Sequence, residues 1–537
     1  MSYVLKPLNV VAYTSRGIFR TTPLYENLGD RDHRITTRSP LAQNYFDQGL
    51  ILVYGFNHAE AVKSFERATQ LDPNCGMCYW GIALALGPNI NAPMSQDAVP
   101  QAYRAVQKAV KLAPQASKQE QNYILALSKR YSDTFTSDRQ SLDLAYAKAM
   151  RSLARSYPDD LDAATLFAES LMDLMPWDYY TEDGKPKPET NEVIATLESV
   201  IQRDPEHPGA IHYYIHAVEA SSTPERAVAA AERLGKVVPG AGHLVHMPSH
   251  IYLRVGRYQD ASIANQKAIK ADRTYLSQSQ ARGIYRSLYY PHNIHFLWQS
   301  SLIEGRSQLA LETARKLVAK VSLEQVRQFP FTEIFLPTPF FTLVQFGKWD
   351  EMLTEPQPLK ELEYTRAMWH YGRGMALIAK GRDREAIVEA QELRSLNQTK
   401  MINNLEVLGV PASKTLEIAR RILLAKIASF RGNDREAVAQ LKRAVEIEGE
   451  LPYTEPPYWY SPVRHYLGAV LLKSNRPDRA EQVYREALVQ NPNSGWSLFG
   501  LVQSLQMQGK TARAVEIQRQ FKKAWAKADV MLSDSQF

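Results

Sequence analysis

The sequence predicts an all-α protein built as a superhelical solenoid of stacked helical pairs. Small, aromatic and proline residues recur along the chain at fixed spacings, which is typical of a repeat array. No credible set of alternating strands appears beside them. The chain of 537 residues is also longer than a single hydrophobic core usually grows, so it requires either several domains or a repeat array.

The composition is that of a folded soluble protein, with 45% hydrophobic and 23% charged residues. The net charge of +7 is thinly spread, with Lys and Arg alternating with Asp and Glu, so we expect no nucleic-acid partner. No stretch reaches the roughly 18 apolar residues of a membrane helix. The start is a poor signal peptide, so we expect a cytoplasmic protein, unless a mis-assigned start codon hides a signal peptide.

The first clear repeat unit occupies residues 42–73. Gly49 is a small residue where two helices cross closely, and Ala61 and Ala68 keep the second helix near the first. Phe65 fills the space between them, and Pro73 stops the second helix. This pattern resembles the tetratricopeptide repeat, a helix–turn–helix unit of about 34 residues.

The same frame returns in phase further along the chain. Better copies lie near 242–271, 367–386 and 461–492 and at the carboxyl end, and weaker ones lie at 208–239, 291–317 and 418–447. The resemblance covers nearly everything from about residue 41, in about nine to ten degenerate units. It implies a superhelix with a concave groove, and protein–protein interaction is the commonest role in this family.

Three segments depart from the repeat and suggest the domain organisation. They are residues 87–94, the polar insertion 175–190 and the segment 329–341, whose prolines must bend or unwind a helix. We therefore predict four regions: a non-repeat extension at 1–40, a first repeat block at 41–320, an aromatic, proline-rich irregular unit at 321–360, and a second block at 361–537 that ends in a capping helix.

The histidines are not scattered. Counted within three consecutive first helices, they share the second, fifth or ninth position: His243 and His292 are second, His212, His246 and His295 are fifth, and His216 and His250 are ninth. The fifth, ninth and twelfth positions form one stripe, roughly 120° around the helix from the packing stripe. The resemblance implies that this stripe lines the concave groove.

This pattern predicts a transition-metal centre, because His at i and i+4 brings two ring nitrogens to one ion. The expected metal is iron, copper or zinc, since imidazole ligands disfavour magnesium and calcium. If the centre is catalytic, Glu219 or Glu169 is a ligand or general base, and Arg254 anchors a substrate. The predicted metal ligands are His212, His216, His246, His250, His292 and His295.

Two other functions remain open at this point. In the first, the chain is an interaction scaffold without catalysis, and its His-lined groove binds a peptide, a protein or a small molecule. In the second, the same ligands store or deliver a metal that exchanges readily.

Weaker signals have structural explanations that we prefer. His58 packs or caps a turn, although a closed superhelix would bring it to the site. Cys75 and Cys78 are two small buried residues rather than a redox pair or half a metal site. The segment 455–468 is a rigid helix entrance, and the alternative is a ligand wall in which aromatic rings stack and Arg464 binds a carboxylate.

Overall fold

A computed structural model describes residues 22–181, 184–279 and 283–535. Within these ranges the chain is helical, and its only strand-like features are two isolated bridges, Asn89 with Ala92 and Tyr180 with Pro186. The prediction of an all-α repeat fold is confirmed. None of the described helices combines the length and apolarity needed to cross a membrane.

Most of the predicted repeat units appear as pairs of α-helices of 10 to 20 residues. The first twelve helices are α1 Pro40–Tyr54, α2 His58–Leu71, α3 Gly76–Leu86, α4 Val99–Leu112, α5 Lys118–Ser128, α6 Gln140–Ser156, α7 Leu161–Met172, α8 Pro188–Arg203, α9 Pro208–Val218, α10 Val228–Val237, α11 Gly242–His246 and α12 Pro248–Arg254. The next eight are α13 Tyr258–Gln278, α14 Tyr290–Ile303, α15 Ser307–Val318, α16 Leu323–Gln328, α17 Thr338–Gln345, α18 Trp349–Thr354, α19 Glu363–Ala379 and α20 Asp383–Leu396. The last seven are α21 Lys400–Val407, α22 Ala412–Phe430, α23 Asp434–Gly449, α24 Val463–Lys473, α25 Pro477–Gln490, α26 Gly495–Met507 and α27 Thr511–Ala524.

The chain divides into two compact units. Unit 1 comprises Met1–Ile251 and Gln266–Tyr290, and unit 2 comprises Tyr252–Asn265 and Pro291–Phe537. The division of the repeats at residues 320 and 360 stays a prediction. Of the predicted extension, residues 1–21 lie outside the described residues, and α1 begins at Pro40 after Ser39 caps it through the amide of Ala42.

The packing inside the repeats follows the reasoning from sequence. Phe65 on α2 lies against Gly49 on α1 and Gly81 on α3, where an added Cβ would approach its ring within 2.5 Å and 2.4 Å. In unit 2, Tyr484 on α25 has the same relation to Gly468 and Gly500, at 2.3 Å and 2.2 Å. Glycine is therefore required where a buried aromatic ring separates two neighbouring first helices.

Prolines interrupt helices in the segment 329–341, as the sequence predicts, and also at Pro248. The segment 329–341 is partly unwound, with a 3-10 helix at Pro330–Phe335 before α17, so this expectation is confirmed. Pro248 separates α11 from α12. A π-helix at Tyr285–Tyr289 precedes α14, and such helices are frequent at functional sites.

Candidate functional site

Five histidines and one glutamate form a buried cluster in unit 1. The histidine cluster consists of His212, His216, Glu219, His243, His246 and His250, each at most 2% exposed. Successive rings lie close together: centroids are 4.8 Å apart for His212 and His216, 5.0 Å for His212 and His243, 5.6 Å for His243 and His246, and 4.8 Å for His246 and His250. Four of the six predicted metal ligands are thus in contact with one another, directly or through His243.

Three short helices hold the cluster. On α9, His212 and His216 are four residues apart, so they occupy one face. The start of α9 is fixed by Pro208 and by the His207 ring, whose Nδ1 accepts a hydrogen bond from the Ala210 amide at 3.2 Å. Although Pro248 breaks the helix between His246 and His250, their Nε2 atoms lie 2.9 Å apart.

Glu219 orients two of the histidines. His216 donates from Nδ1 to one carboxylate oxygen at 2.7 Å, and His250 donates from Nδ1 to the other at 2.6 Å. Burial alone would raise the pKa of Glu219, but the two histidines outweigh it and hold this pKa well below its usual range. Because Nδ1 carries the proton in each ring, the neutral rings have an unprotonated Nε2.

His212 is oriented by the backbone. Its Nδ1 donates to the carbonyl oxygen of Tyr54 at 2.6 Å, which again leaves Nε2 without a proton. Burial lowers the pKa of both His212 and His216, so both rings are neutral at pH 7. Among the described residues, Nε2 of His212 and Nε2 of His216 have no hydrogen-bond partner. Two buried lone pairs are therefore available for another ligand.

The nitrogen atoms are close enough to consider a shared ion. One nitrogen each from His212, His216 and His243 lies within 4.8 Å of the other two. Two nitrogens on one ion, each bonded at about 2.0–2.1 Å, are separated by at most about 4.2 Å, so nitrogens as far apart as 4.8 Å would have to move closer to share one. His246 donates from Nε2 to Nε2 of His250, whose proton is held on Nδ1 by Glu219.

Aromatic side chains enclose the cluster. Between ring centroids, Phe56 lies 4.5 Å from His212 and Trp177 lies 5.1 Å from His216. The ring of Tyr289, at the end of the π-helix, lies 4.8 Å from that of His243 by the same measure. Trp177 donates from Nε1 to the Asn91 side-chain oxygen at 3.1 Å, and the Asn91 amide donates to the Tyr289 hydroxyl at 3.3 Å. Asn91 and Trp177 belong to the insertions 87–94 and 175–190, so both departures from the repeat help to cover the histidines.

The sequence did not identify His243 or these enclosing residues as part of the site. His243 carries a signal that was available, because it precedes His246 by three residues on the same short helix. Phe56 and Trp177 carry little local signal. Both have positive φ, at 54° and 60°, which a sequence pattern does not reveal for non-glycine residues.

Glu169 lies in a different buried group. Its neighbours are Asp173 and Arg130, and Arg130 forms an ion pair with Asp173. Burial raises the pKa of Glu169 against the opposing effect of Arg130. This carboxyl pair shares its environment with Tyr146 and Tyr213. The role predicted for Glu169, ligand or general base, stays a prediction.

Three other predicted site residues belong to unit 2. His295 packs on Trp298 with ring centroids 5.1 Å apart, and burial lowers its pKa to about 3. His292 packs on Phe296 at 4.9 Å. The Arg254 guanidinium lies 5.5 Å from the centre of the Tyr453 ring. Their roles as ligands and substrate anchor stay predictions.

The weaker sequence signals have clear local settings. The ring centroids of His58 and Phe56 lie 6.2 Å apart, and the His58 Nδ1 atom lies 3.4 Å from the side-chain nitrogen of Asn89. Burial lowers the pKa of His58 to about 4. Cys75 and Cys78 are buried as expected, but they form a disulfide at the start of α3, which corrects the expectation of two separate small residues. His33, Asp160 and Asp162 also lie close together. Asp162 already accepts hydrogen bonds from His33 at 2.9 Å and Tyr54 at 2.6 Å, so we interpret this third group as structural.

Comparison with known proteins supports the repeat assignment. The tetratricopeptide repeat family model matches residues 42–75, and the predicted resemblance is confirmed. The chain is similar to the human IFIT1 dimer with m7Gppp-AAAA, at 12% identity over 92% of each chain, with a TM-score of 0.32. It is similar to the APC/C hetero-tetramer Cut9–Hcn1, at 11% identity over 90% of this chain and 93% of that chain, with a TM-score of 0.27. No curated protein matches the chain.

Proposed function

We propose that this tetratricopeptide-repeat protein holds a transition-metal ion in the histidine cluster of unit 1. The ligands are His212, His216 and His243, and His246 and His250 form an adjoining pair. The observation that carries the proposal is the double hydrogen bond from His216 and His250 to Glu219. It turns both Nε2 atoms away from the carboxylate.

The hydrogen bonds around the rings match what metal-binding histidines need. Such a histidine almost always donates its other ring N–H to a carboxylate or backbone carbonyl, which fixes the tautomer and makes the ligand nitrogen more basic. Glu219 serves His216 and His250 in this way, and the Tyr54 carbonyl serves His212. In this proposal Glu219 is a positioning residue rather than a ligand or general base.

The donor set favours iron, copper or zinc. Imidazole nitrogen suits these ions, whereas magnesium and calcium require oxygen ligands. A bound ion of this kind supplies Lewis-acid or oxygen-activating chemistry. The residues of the chain orient the ligand rings, keep His212 and His216 neutral at pH 7, and exclude water with Phe56, Trp177 and Tyr289.

The alternative of a peptide-binding groove lined by these histidines is less well supported. Tetratricopeptide repeats are commonly protein-interaction scaffolds, and the outer surfaces of this chain remain suited to that role. The side chains of the histidine cluster, however, are at most 2% exposed, so a peptide would reach them only after the covering residues moved. We therefore assign the cluster to an ion rather than to a peptide.

Metal analysis of the full chain, purified without a histidine tag, tests the proposal. We expect about one equivalent or more of iron, copper or zinc, or uptake of that amount on titration. His216→Gln combined with His212→Gln should reduce it to a residual level. His370→Gln is the matched control. His370, in unit 2, is also buried, and its Nδ1 lies within hydrogen-bond distance, 2.5 Å, of a carboxylate oxygen of Glu389. Less than about a tenth of an equivalent with no uptake would contradict the proposal.

A further inference from the structure

A continuous row of four tyrosine rings joins the histidine cluster to the surface of unit 1. Between ring centroids, Tyr289 lies 4.8 Å from His243, and Tyr285 lies 5.6 Å from Tyr289. Tyr275 follows at 5.4 Å and Tyr25 at 5.3 Å. The first three tyrosines are at most 7% exposed, whereas Tyr25 is partly exposed. This tyrosine row thus connects a buried centre with solvent through rings in contact.

Three different parts of the chain supply the tyrosine row. Tyr285 and Tyr289 are the two ends of the π-helix, Tyr275 lies on α13, and Tyr25 lies in the irregular segment before α1. The packing stripe of a single helix would place its members three or four residues apart. The row is therefore assembled by the tertiary fold and is not the apolar face of one helix.

Two buried carboxylates accept hydrogen bonds from the tyrosine row. The Tyr285 hydroxyl donates to Asp272 at 2.7 Å. The Tyr25 hydroxyl donates to one oxygen of Glu60 at 2.7 Å, and the Tyr275 hydroxyl donates to the other at 3.3 Å. Asp272 and Glu60 are at most 2% exposed, and burying a carboxylate is costly. Phenylalanine would fill the same positions without a polar partner, so packing alone does not explain the hydroxyl groups.

These hydrogen bonds matter for oxidation, because a tyrosine that loses an electron also gives up its phenolic proton. Burial and the neighbouring carboxylates raise the pKa values of Tyr25, Tyr275 and Tyr285, so all three hold their protons at pH 7. A buried tyrosine is therefore oxidised readily only where a base takes the proton as the electron leaves. Glu60 and Asp272 are placed to act as these bases.

Tyr25 and Tyr275 share one base. When an electron passes from Tyr25 to oxidised Tyr275, the Tyr25 proton moves to one oxygen of Glu60, and the proton on the other oxygen returns to Tyr275. This step exchanges protons within one carboxylate and requires no proton from solvent. Lys63 also pairs with Glu60, at 2.9 Å.

Tyr289 differs from the other three tyrosines. Its hydroxyl accepts a hydrogen bond from the side-chain amide of Asn91 at 3.3 Å, and an amide does not take up a phenolic proton. Its ring lies between His243 and Tyr285, and the Tyr285 hydroxyl also accepts a hydrogen bond from the backbone amide of His243. Tyr289 is thus a bridge through which an electron passes, and Tyr285 is the first ring beside the cluster that can lose both an electron and a proton.

We propose that the tyrosine row carries electrons from the protein surface to the histidine cluster during reduction of a peroxide at a bound iron or copper ion. The inference rests on the proposed function. The peroxide takes up two electrons and two solvent protons and leaves as two water molecules. One electron comes from the ion and the other from Tyr285, whose proton passes to Asp272. A water-soluble one-electron reductant then replaces the electron at Tyr25, and each proton returns to its tyrosine.

EPR spectroscopy of the full-length protein, loaded with iron(II) or separately with copper(I), tests the proposal. After hydrogen peroxide is added, we expect a tyrosyl radical in at least one of the two samples, and ascorbate should remove it. Tyr285→Phe keeps the ring but not the phenolic proton, so it should lower the radical yield about tenfold. Tyr25→Phe should leave the yield high and slow the removal by ascorbate about tenfold, because the oxidisable ring nearest solvent is lost.

Tyr371→Phe is the matched control. The Tyr371 hydroxyl is also buried, but it lies in unit 2 beside the hydroxyls of Tyr460 and Tyr466, at 3.2 Å and 3.1 Å. This variant should match the unchanged protein in both radical yield and removal rate. Thermal denaturation and metal analysis check that each variant folds and binds the ion.

The outcomes distinguish the tyrosine row from the metal centre itself. Bound iron or copper without a tyrosyl radical would overturn the role of the row and leave the metal centre in place. The same holds if yield and removal rate in both Tyr285→Phe and Tyr25→Phe equal those of the unchanged protein, or if the cluster binds zinc but neither iron nor copper. A protein that binds none of these metals would overturn both proposals.

Discussion

Glu219 accepts a hydrogen bond from His250, 31 residues further along the chain, at 2.6 Å, while its other oxygen accepts from His216 at 2.7 Å. One carboxylate thus fixes the tautomers of two histidines that lie on different helices. This relationship is central to the proposed metal centre, and the first three predictions below follow from it and from its surroundings.

Replacing Glu219 with Gln should weaken the proposed metal binding. Glutamine keeps one acceptor oxygen but presents an NH₂ group in place of the other, so it cannot accept from both histidines. Loss of such an orienting partner typically lowers metal affinity by about 10–100-fold. A competition titration against a chelator of known affinity measures the change. Glu389→Gln is the matched control in unit 2, and equal affinities for the two variants would count against the role of Glu219.

Acidification should reduce the stabilising contribution of the buried neutral histidines in the metal-free protein. Burial lowers the pKa values of His212 and His216, and it lowers that of His58 to about 4, whereas their unfolded values lie near 6.5. Between these values the unfolded chain binds more protons at these histidines, so their contribution to the free energy of unfolding falls as the pH falls below about 6.5. Each such histidine contributes up to about 1.4 kcal/mol per pH unit in this window.

Denaturant titrations of metal-free protein at pH 7, 6 and 5 check this dependence. His58→Asn should show a shallower slope, because it removes one buried titrating group. Equal slopes for His58→Asn and the unchanged protein would show that His58 is not buried in its neutral form.

Removing the indole of Trp177 should speed metal release. The ring covers His216 at 5.1 Å and is tied to Asn91 by a hydrogen bond, but it is not a ligand. We expect Trp177→Ala to raise the rate of metal loss to excess chelator at least tenfold, because water and chelator then reach the cluster. Trp369→Ala in unit 2 is the control. Equal rates of metal release from the two variants would show that Trp177 does not shield the histidine cluster.

Replacing Gly49 with Ala should destabilise the fold. The added Cβ would lie 2.5 Å from the Phe65 ring, which is itself buried and held between two helices. Overpacking of this kind typically costs about 1–3 kcal/mol. Gly449→Ala is the matched control, since a Cβ there meets nothing within 4 Å. Denaturant unfolding that showed no greater loss for Gly49→Ala would contradict the repeat packing described for α1, α2 and α3.

The sequence predicts the repeats well because the same local constraint recurs. Gly49 and Phe65 have counterparts in Gly468 and Tyr484, and the proline-rich segment 329–341 has the expected break. The phase of His212, His216, His246 and His250 also predicts that they approach one another. Each of these features depends on spacing within one or two helices, which sequence periodicity records.

Other features depend on contacts that spacing does not record. The hydrogen bond from His250 to Glu219 joins residues 31 positions apart, and Tyr54 and Phe56 reach the cluster from far earlier in the chain. The helical stripe predicted to line a concave groove is covered, because insertions outside the repeat pattern lie over it. Both insertions are recognisable in the sequence, but their composition does not show where they pack.

X-ray absorption at the edge of the bound metal tests the central claim most directly. For the full-length protein, loaded with the ion that it binds most tightly, we predict nearest neighbours that are nitrogens at about 2.0–2.1 Å, with the outer scattering of at least three imidazoles. His212→Gln should remove one imidazole from that shell. A first shell of oxygen atoms, or a spectrum unchanged by His212→Gln, would contradict the claim that these histidines share an ion.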